Sequence, residues 1–276
     1  MRKAGILFNA RITDAEILAQ TLAKKLEQSS VSAWICPASD EAKAKEQLAG
    51  TEMILSLGGD GTMLRTARLV ASEAIPIVGV NLGNLGFMTE LSDQEVLDKI
   101  PRFLKGEGWN DERAMLQVEL PSPAGPSMFH ALNDVVVGRG AIVRLIRVKA
   151  SVNGQPITTY KADGVIVATA TGSTGYSLAA GGPILFPNAE EFLLTPITSH
   201  LGLTAALVLS SEAVVELEVQ TAHEARVSID GQVEFPLSSG DTIKIKRSPY
   251  TTRLLRIQPQ SFFYHTLLEK LGGKER

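Results

Sequence analysis

The sequence predicts an α/β N-terminal domain, then an all-β, sandwich-like C-terminal domain, with a C-terminal helix packing back on the first. Three observations predict this. Over roughly the first 110 residues, short apolar runs alternate with segments of helical period. From Leu116 onward the segments read as strands separated by Gly, Asn and Asp turns. Helical spacing then returns from Ser261 to Leu271.

The first strand is Ala4 to Phe8. Thr13 and Glu16 have capping-box spacing, and Ala15, Leu18, Leu22 and Leu26 follow at helical intervals. Val31 to Cys36 and Met53 to Leu57 are the next strands. A helix through Leu64, Ala67, Arg68 and Ala71 follows the turn after Leu57. Ile77 to Val80 is a fourth strand, and Gln94 to Leu104 a further helix. Strands alternating with helices need crossovers, so the sheet is expected to be mostly parallel. The expected domains are 1–113, with 253–276 returning to it, and 114–252. In the second, strands are read at Leu116 to Leu120, Ala131 to Val137, Ile142 to Val152, Val165 to Ala170, Ala205 to Leu209, Val214 to Val219, Ala225 to Ile229 and Thr242 to Lys246. Asn153-Gly154, Asp230-Gly231 and Ser239-Gly240-Asp241 are its turns.

Composition excludes several function classes. The 276 residues are 44% hydrophobic and 21% charged, with a net charge of -3, so nothing electrostatic draws the chain to nucleic acid or anionic lipid. The single cysteine, Cys36, permits neither an intrachain disulfide nor a CxxC pair, and its apolar setting suits a buried strand position. His130, His200, His223 and His265 are scattered without ligand spacing, so no protein-held metal is expected. The basic N-terminus precedes an apolar run too short for a signal peptide, and no segment has the length of a membrane span. The cytoplasm is the expected compartment. Lys24-Lys25, Lys43 to Glu46, and the alternating Lys244, Lys246 and Arg247 are expected to face water.

Two segments carry chemistry. Gly58-Gly59-Asp60-Gly61-Thr62 lies between a strand and a helix. Its glycines let a bound anion approach the backbone, and the helix start favours phosphate. It lacks the Gly-Lys-Ser/Thr ending of a Walker A loop and the spacing of GxGxxG. A carboxylate in such a turn suits a metal ion or the acceptance of a proton from an attacking hydroxyl. The same residues would also serve as a tight turn whose Asp caps the helix. The second segment runs from Lys161 to Pro183. Thr171, Ser173, Thr174 and Ser177 offer hydroxyls for a ribose or base, Tyr176 a ring face, and Asp163 a partner for a diol or an exocyclic amine. A small-residue turn between sheets is the alternative.

Together these motifs resemble the NAD kinase family over most of the chain. Gly58 to Thr62 resembles its GGDGT element, and Gly79-Val80-Asn81-Leu82-Gly83-Asn84-Leu85-Gly86-Phe87 its second glycine-rich stretch. Glu112 to Leu116 resembles the opening of its β-rich domain, and Asn133-Asp134 its Asn-Glu motif. Asp163-Gly164 with Thr171 to Ser177 resembles its long motif, and Asp230-Gly231-Gln232 its late turn. GGDGT alone is shared with lipid kinases. The combination with Thr171 to Pro183 is specific.

The resemblance implies transfer of the terminal phosphoryl group of ATP, or another donor, to the 2′-hydroxyl of the adenosine ribose of NAD, giving NADP. It implies an active site between the two domains, Mg²⁺ carried with the donor, and a homodimer or homotetramer. Asp60 would accept the 2′-hydroxyl proton, and Gly61 and Arg65 would lie near the phosphates. Asn133 and Asp134 would hold the adenosine. Arg144, Lys161 and Asp163 would line the site, and Thr171, Thr174, Gly175, Tyr176, Ser177, Leu178, Ala179 and Gln232 would complete it. This chain has Asp134 where the family has Glu, Gly175 where Ala is common, and Thr198-Ser199 in place of a Pro before His200. The competing readings are a lipid kinase, which would need an apolar channel, and a non-catalytic dinucleotide sensor, which would lack Asp60.

Overall fold

The computed structural model describes residues 2–83, 86–121, 125–140, 144–200 and 203–271. Asn84 and Leu85 of the second glycine-rich stretch, and Ile142 and Val143 of one expected strand, lie outside them. The chain divides into two compact units, Met1–Glu112 with Thr252–Arg276, and Arg113–Thr251.

The first unit is α/β. Its elements are β1 (Lys3–Phe8), α1 (Ala15–Gln28), β2 (Ser32–Pro37), α2 (Glu41–Gln47), β3 (Met53–Leu57), α3 (Asp60–Val70), β4 (Ile77–Asn81), β5 (Leu91–Ser92) and α4 (Asp93–Leu104). The strands run parallel in the order β2-β1-β3-β4, and β5 adds to β4. Alternate residues Ala4, Ile6 and Phe8 join Leu22, Leu26, Val96, Ile100 and Phe103 in one core, as a period of two against a period of 3.6 requires. Each such buried leucine or isoleucine stabilises the unit by about 1.5–3 kcal/mol. The capping box expected at Thr13 is not used, because Asp14 is the N-cap of α1 and makes no side-chain bond there. That device appears at α4, where Glu95 accepts from the Ser92 amide and hydroxyl. The hydrogen bond from Lys99, and after it these bonds from Ser92, bring the Glu95 pKa down to about 2. Cys36 is buried in β2, and burial raises its thiol pKa.

The second unit is a β-sandwich. Its elements begin with β6 (Trp109–Leu120), which starts in the first unit, then β7 (Ser127–Ala131), β8 (Asp134–Arg139), β9 (Ile146–Val152), β10 (Gln155–Ala162) and β11 (Gly164–Ala168). A 3-10 turn (Gly172–Thr174) and the short α5 (Tyr176–Ala179) follow. Then come β12 (Phe192–Ile197), β13 (Leu207–Leu209), β14 (Val214–Gln220), β15 (Ala225–Ile229), β16 (Val233–Leu237) and β17 (Thr242–Arg256), whose last residues belong to the first unit. One antiparallel sheet has the order β13-β12-β11-β8-β15-β16. The other runs β10-β9-β14-β17, and β6 pairs with β7. Val135, Val137, Val165 and Val167 of one sheet meet Val148, Ala150, Leu217 and Ile245 of the other in a single core. Lys244 and Lys246 are exposed, whereas Arg247 is half-buried and pairs with Glu190 at 2.6 Å.

The last element, α6 (Phe262–Leu271), returns to the first unit. The strand expected over Ala131 to Val137 is two strands. It breaks at Leu132-Asn133, whose amides serve another purpose described below.

Candidate active site

In the first unit, β3 ends at Leu57 and the glycine turn delivers the chain into α3. Gly59 is the N-cap, in extended conformation, and no side chain caps the helix. Asp60 is therefore free of capping. Its Oδ2 accepts the Phe87 N–H at 3.1 Å and its Oδ1 the Met88 N–H at 3.2 Å. Two amides from a distant loop fix the carboxylate beside the turn. Each glycine has its own reason. A Cβ at Gly58 would overlap the Thr62 side chain, and one at Gly86 would overlap the Asp60 carboxylate. At Gly59 and Gly61 a Cβ would meet no atom within 4 Å. Packing within the chain does not demand glycine there, and the space is open to a ligand. Arg65, on the next turn of α3, is half-buried with no ion pair among the described residues.

The segment that supplies these amides is itself clamped. Arg256 donates to the carbonyls of Phe87 at 3.4 Å and Thr89 at 3.1 Å, and pairs with Glu90 at 3.2 Å and Asp111 at 3.1 Å. Glu90 also accepts the N–H groups of Ile257 at 2.8 Å and Gln258 at 2.7 Å. All three side chains are buried. A buried pair broken on one side costs about 3–5 kcal/mol, so this cluster holds the loop firmly. Lys270 of α6 places its ammonium 3.8 Å from Asp60 Oδ2. Sequence reasoning missed Arg256, Glu90 and Lys270, because single charged residues in a strand or helix give no signal of what they meet.

In the second unit three separated motifs converge. Asp230 and Gly231 have positive φ, 53° and 62°, in the turn between β15 and β16. The Asp230 carboxylate accepts the N–H groups of Leu132 at 2.9 Å, Asn133 at 2.7 Å and Asp134 at 3.1 Å. Those amides cannot then continue the ladder, which breaks the strand. Thr169 donates its hydroxyl to Leu132 O at 2.6 Å and its amide to Asn133 O at 2.9 Å. Gly172 follows, so close that a Cβ would overlap the Asn133 carbonyl. Asn133 Oδ1 is buried with no hydrogen-bond partner among the described residues. A buried acceptor without a donor calls for one from outside the chain. Asp134 is 7% exposed, and burial, with the Asp230 charge adding to it, pushes its pKa up to about 7.

A pocket of about 690 Å³ in this unit is lined by Val136, Arg139, Asp163, Tyr176, Ala179 and Thr198, among others. It brings together three of the expected residues, Asp163, Tyr176 and Ala179. Arg139, not singled out in the sequence, holds Asp163 at 2.8 Å. The Tyr176 side chain is 48% exposed, with its ring available. The loop hydroxyls brace the loop itself. Thr171 accepts from Arg113 at 3.2 Å and Thr174 donates to Thr171 O at 3.1 Å. Ser173 bonds Ala170 O at 2.6 Å, and Ser177 bonds Thr195 at 3.0 Å. Gly175 and Leu178 lie in the same loop and helix. The remaining expected residues do not line the pocket. Arg144 is exposed and bonded to His223 at 3.0 Å, Lys161 is exposed on β10, and Gln232 follows the Asp230 turn. Among the described residues no group of three or more His, Cys, Asp or Glu could hold a metal ion. No helix among them is long and apolar enough to cross a membrane.

The chain matches two family descriptions, the ATP-NAD kinase N-terminal domain over residues 4–108 and the ATP-NAD kinase C-terminal domain over 132–257. It is 46% identical over 274 residues to an NAD kinase of Dehalococcoides mccartyi, covering 99% of this chain and 96% of that one. It is 37% identical to an NAD kinase of Chloroflexus aurantiacus, covering 98% and 99%. Among solved structures it resembles a yeast NADH kinase complexed with NADH, with a TM-score of 0.90 at 21% identity over 100% of this chain and 89% of that one. It also resembles an NAD kinase from Archaeoglobus fulgidus in complex with ATP, with a TM-score of 0.77 at 26% identity over 97% and 98%.

Proposed function

This chain belongs to the NAD kinase family and produces NADP by ATP-dependent phosphorylation of NAD, and on that premise we propose that Asp60 is the proton acceptor of the reaction. The 2′-oxygen of the adenosine ribose attacks the γ-phosphorus. The bond from that phosphorus to the β,γ-bridging oxygen breaks, ADP leaves with the electron pair, and the 2′-hydroxyl proton passes to the Asp60 carboxylate. Such transfers run through a loose transition state, in which positioning and charge neutralisation dominate. The hydroxyl grows acidic as the new bond forms, so a carboxylate suffices as acceptor.

The observation that carries this reading is the Asp60 carboxylate held by the Phe87 and Met88 amides beside a turn with open space at Gly59 and Gly61. In this reading Gly61 and Arg65 lie along the phosphates. Asn133 Oδ1 takes a donor from the adenosine, and Asp134 faces its ribose. Asp163, Tyr176 and Ala179 line the dinucleotide pocket, with Thr171, Thr174, Gly175, Ser177, Leu178 and Gln232 shaping its wall. Residues 1–113 with 253–276 handle the donor, and 114–252 the NAD.

A divalent cation fits this site as a passenger of ATP, since Asp60 is the one acidic side chain in the glycine turn. Carried with the donor, it would supply charge neutralisation. We place the enzyme in the cytoplasm as a homodimer or homotetramer, with Arg144 and Lys161, both exposed, contributing at a subunit contact. Formation of NADP from NAD with ATP or with polyphosphate, repeated with NADH as acceptor, tests donor and acceptor range. Steady-state rates with Asn in place of Asp60 test the carboxylate.

A further inference from the structure

We propose that Lys270, on the C-terminal helix, is a further active-site residue, whose ammonium pairs with Asp60 when no donor is bound and neutralises the terminal phosphate of ATP when one is. The proposal rests on the reading of Asp60 given above.

The problem it solves is electrostatic. Two anions, the Asp60 carboxylate and a polyphosphate, must share one small space. The glycine turn from Gly58 to Thr62 contains no Lys or Arg. Backbone amides and the start of α3 contribute only partial charges, about half an elementary charge at a helix end. Arg65 lies a full turn further along α3. Beyond Arg65 and a cation carried with ATP, a whole positive charge beside Asp60 itself comes only from an element other than the turn.

Lys270 brings one. Its Nζ is 3.8 Å from Asp60 Oδ2 and 4.4 Å from the centre of the Phe87 ring. Phe87 therefore serves both groups, with its amide on the carboxylate and its ring against the ammonium. The side chains of Lys270 and Asp60 are 26% and 32% exposed, so the pair is only partly screened. At 3.8 Å the two are attracted without a short hydrogen bond, so the ammonium is not locked onto the carboxylate. The ring keeps it at the site when it turns to another anion. A compact ammonium on a flexible stem suits a phosphate that changes geometry during transfer. Of the α6 residues, Thr266 is the one buried, while Tyr264 and Leu268 are 55% and 70% exposed. Lys270 exchanges no proton in this scheme and acts by charge alone.

The test uses the full chain with Lys270→Met, which keeps the stem, and Lys270→Arg, which keeps the charge. Lys270→Met is expected to lower kcat/KM for ATP about 100-fold, with the KM for NAD within about twofold of wild type. Lys270→Arg is expected to restore most of that loss. Calorimetric binding of inorganic tripolyphosphate is expected to weaken about tenfold in Lys270→Met, and by at least as much in an Asp60→Asn background, where no carboxylate competes for the ammonium. That second background separates the two readings, because it reports on Lys270 even where the role of Asp60 fails. Unchanged ATP kinetics and tripolyphosphate affinity in Lys270→Met would overturn the proposal. So would a loss for NAD and ATP alike, with a lowered melting temperature and no rescue by arginine, since that is the signature of a residue that only docks α6.

Discussion

Gly86 stands directly against Asp60, so close that a single carbon added to the glycine would overlap the carboxylate. The same stretch supplies the two amides that hold Asp60, from Phe87 and Met88. The second glycine-rich stretch thus acts as a wall and a hydrogen-bonding surface for the first. Its position is set in turn by the buried Arg256, Glu90 and Asp111 cluster.

Gly86→Ala is expected to leave the fold in place, at a cost of about 1–3 kcal/mol from overpacking. The carboxylate must move aside, and a displacement of that size at the reacting group lowers turnover about 100-fold. The KM for NAD should change little, because Asn133 and the pocket at Asp163 lie in the other unit. Melting temperature and steady-state kinetics on one preparation check both parts. A variant with unchanged turnover would show that the close approach has no catalytic consequence.

Arg139→Ala is expected to weaken NAD binding. The ion pair with Asp163 is about a third exposed on both sides, 29% and 31%, so its contribution to stability is below about 1 kcal/mol. Asp163 is also left without its partner in the pocket. The expected result is a KM for NAD raised about tenfold, with kcat and melting temperature close to wild type. An unchanged KM would remove this pocket from the NAD site.

Asp134 titrates in an unusual range, with its pKa raised from 3.8 to about 7 by burial and then by Asp230. The sign follows from linkage. The folded state holds the proton more tightly than the unfolded one, so the contribution of this group is full below about pH 4. It is lost as the pH rises through about 7, and above that no further change comes from this group. Asp134→Asn has no such proton to lose. Urea unfolding from pH 4.5 to 8 should therefore show wild type losing more stability than the variant. Parallel curves would mean that Asp134 is ionised throughout.

Much of the candidate site is legible in the sequence because its residues are contiguous. Gly58 to Thr62 and Asp163 to Ala179 are each a short run whose residue types limit the chemistry. Short apolar runs likewise marked β1, β3 and β4, which are buried on both faces, and helical spacing marked α1, which buries Ala15, Leu22 and Leu26. What stayed hidden depends on distance along the chain. Phe87 and Met88 lie 27 and 28 residues from Asp60, and Asp230 lies 97 from Asn133. No local pattern carries such a pairing. β10, β12 and β16 went unread for a different reason. β10 is an edge strand whose alternation is broken between Pro156 and Thr158, so that only Tyr160 and Ala162 reach the core, and Pro196 and Pro236 sit inside strands that propensity alone would interrupt. The break between β7 and β8 is the same lesson, since an apolar run is cut by a carboxylate from a turn far along the sequence.

The most direct measurement is turnover by Asp60→Asn, with NAD and ATP saturating, beside NAD affinity and melting temperature. Asparagine keeps the shape but presents one acceptor where the Phe87 and Met88 amides need two, so a stability loss of about 1–2 kcal/mol is expected. The account predicts a folded protein that binds NAD within a few-fold of wild type and makes NADP about 100-fold more slowly, or slower still. Turnover near the wild-type rate in that folded variant would contradict it.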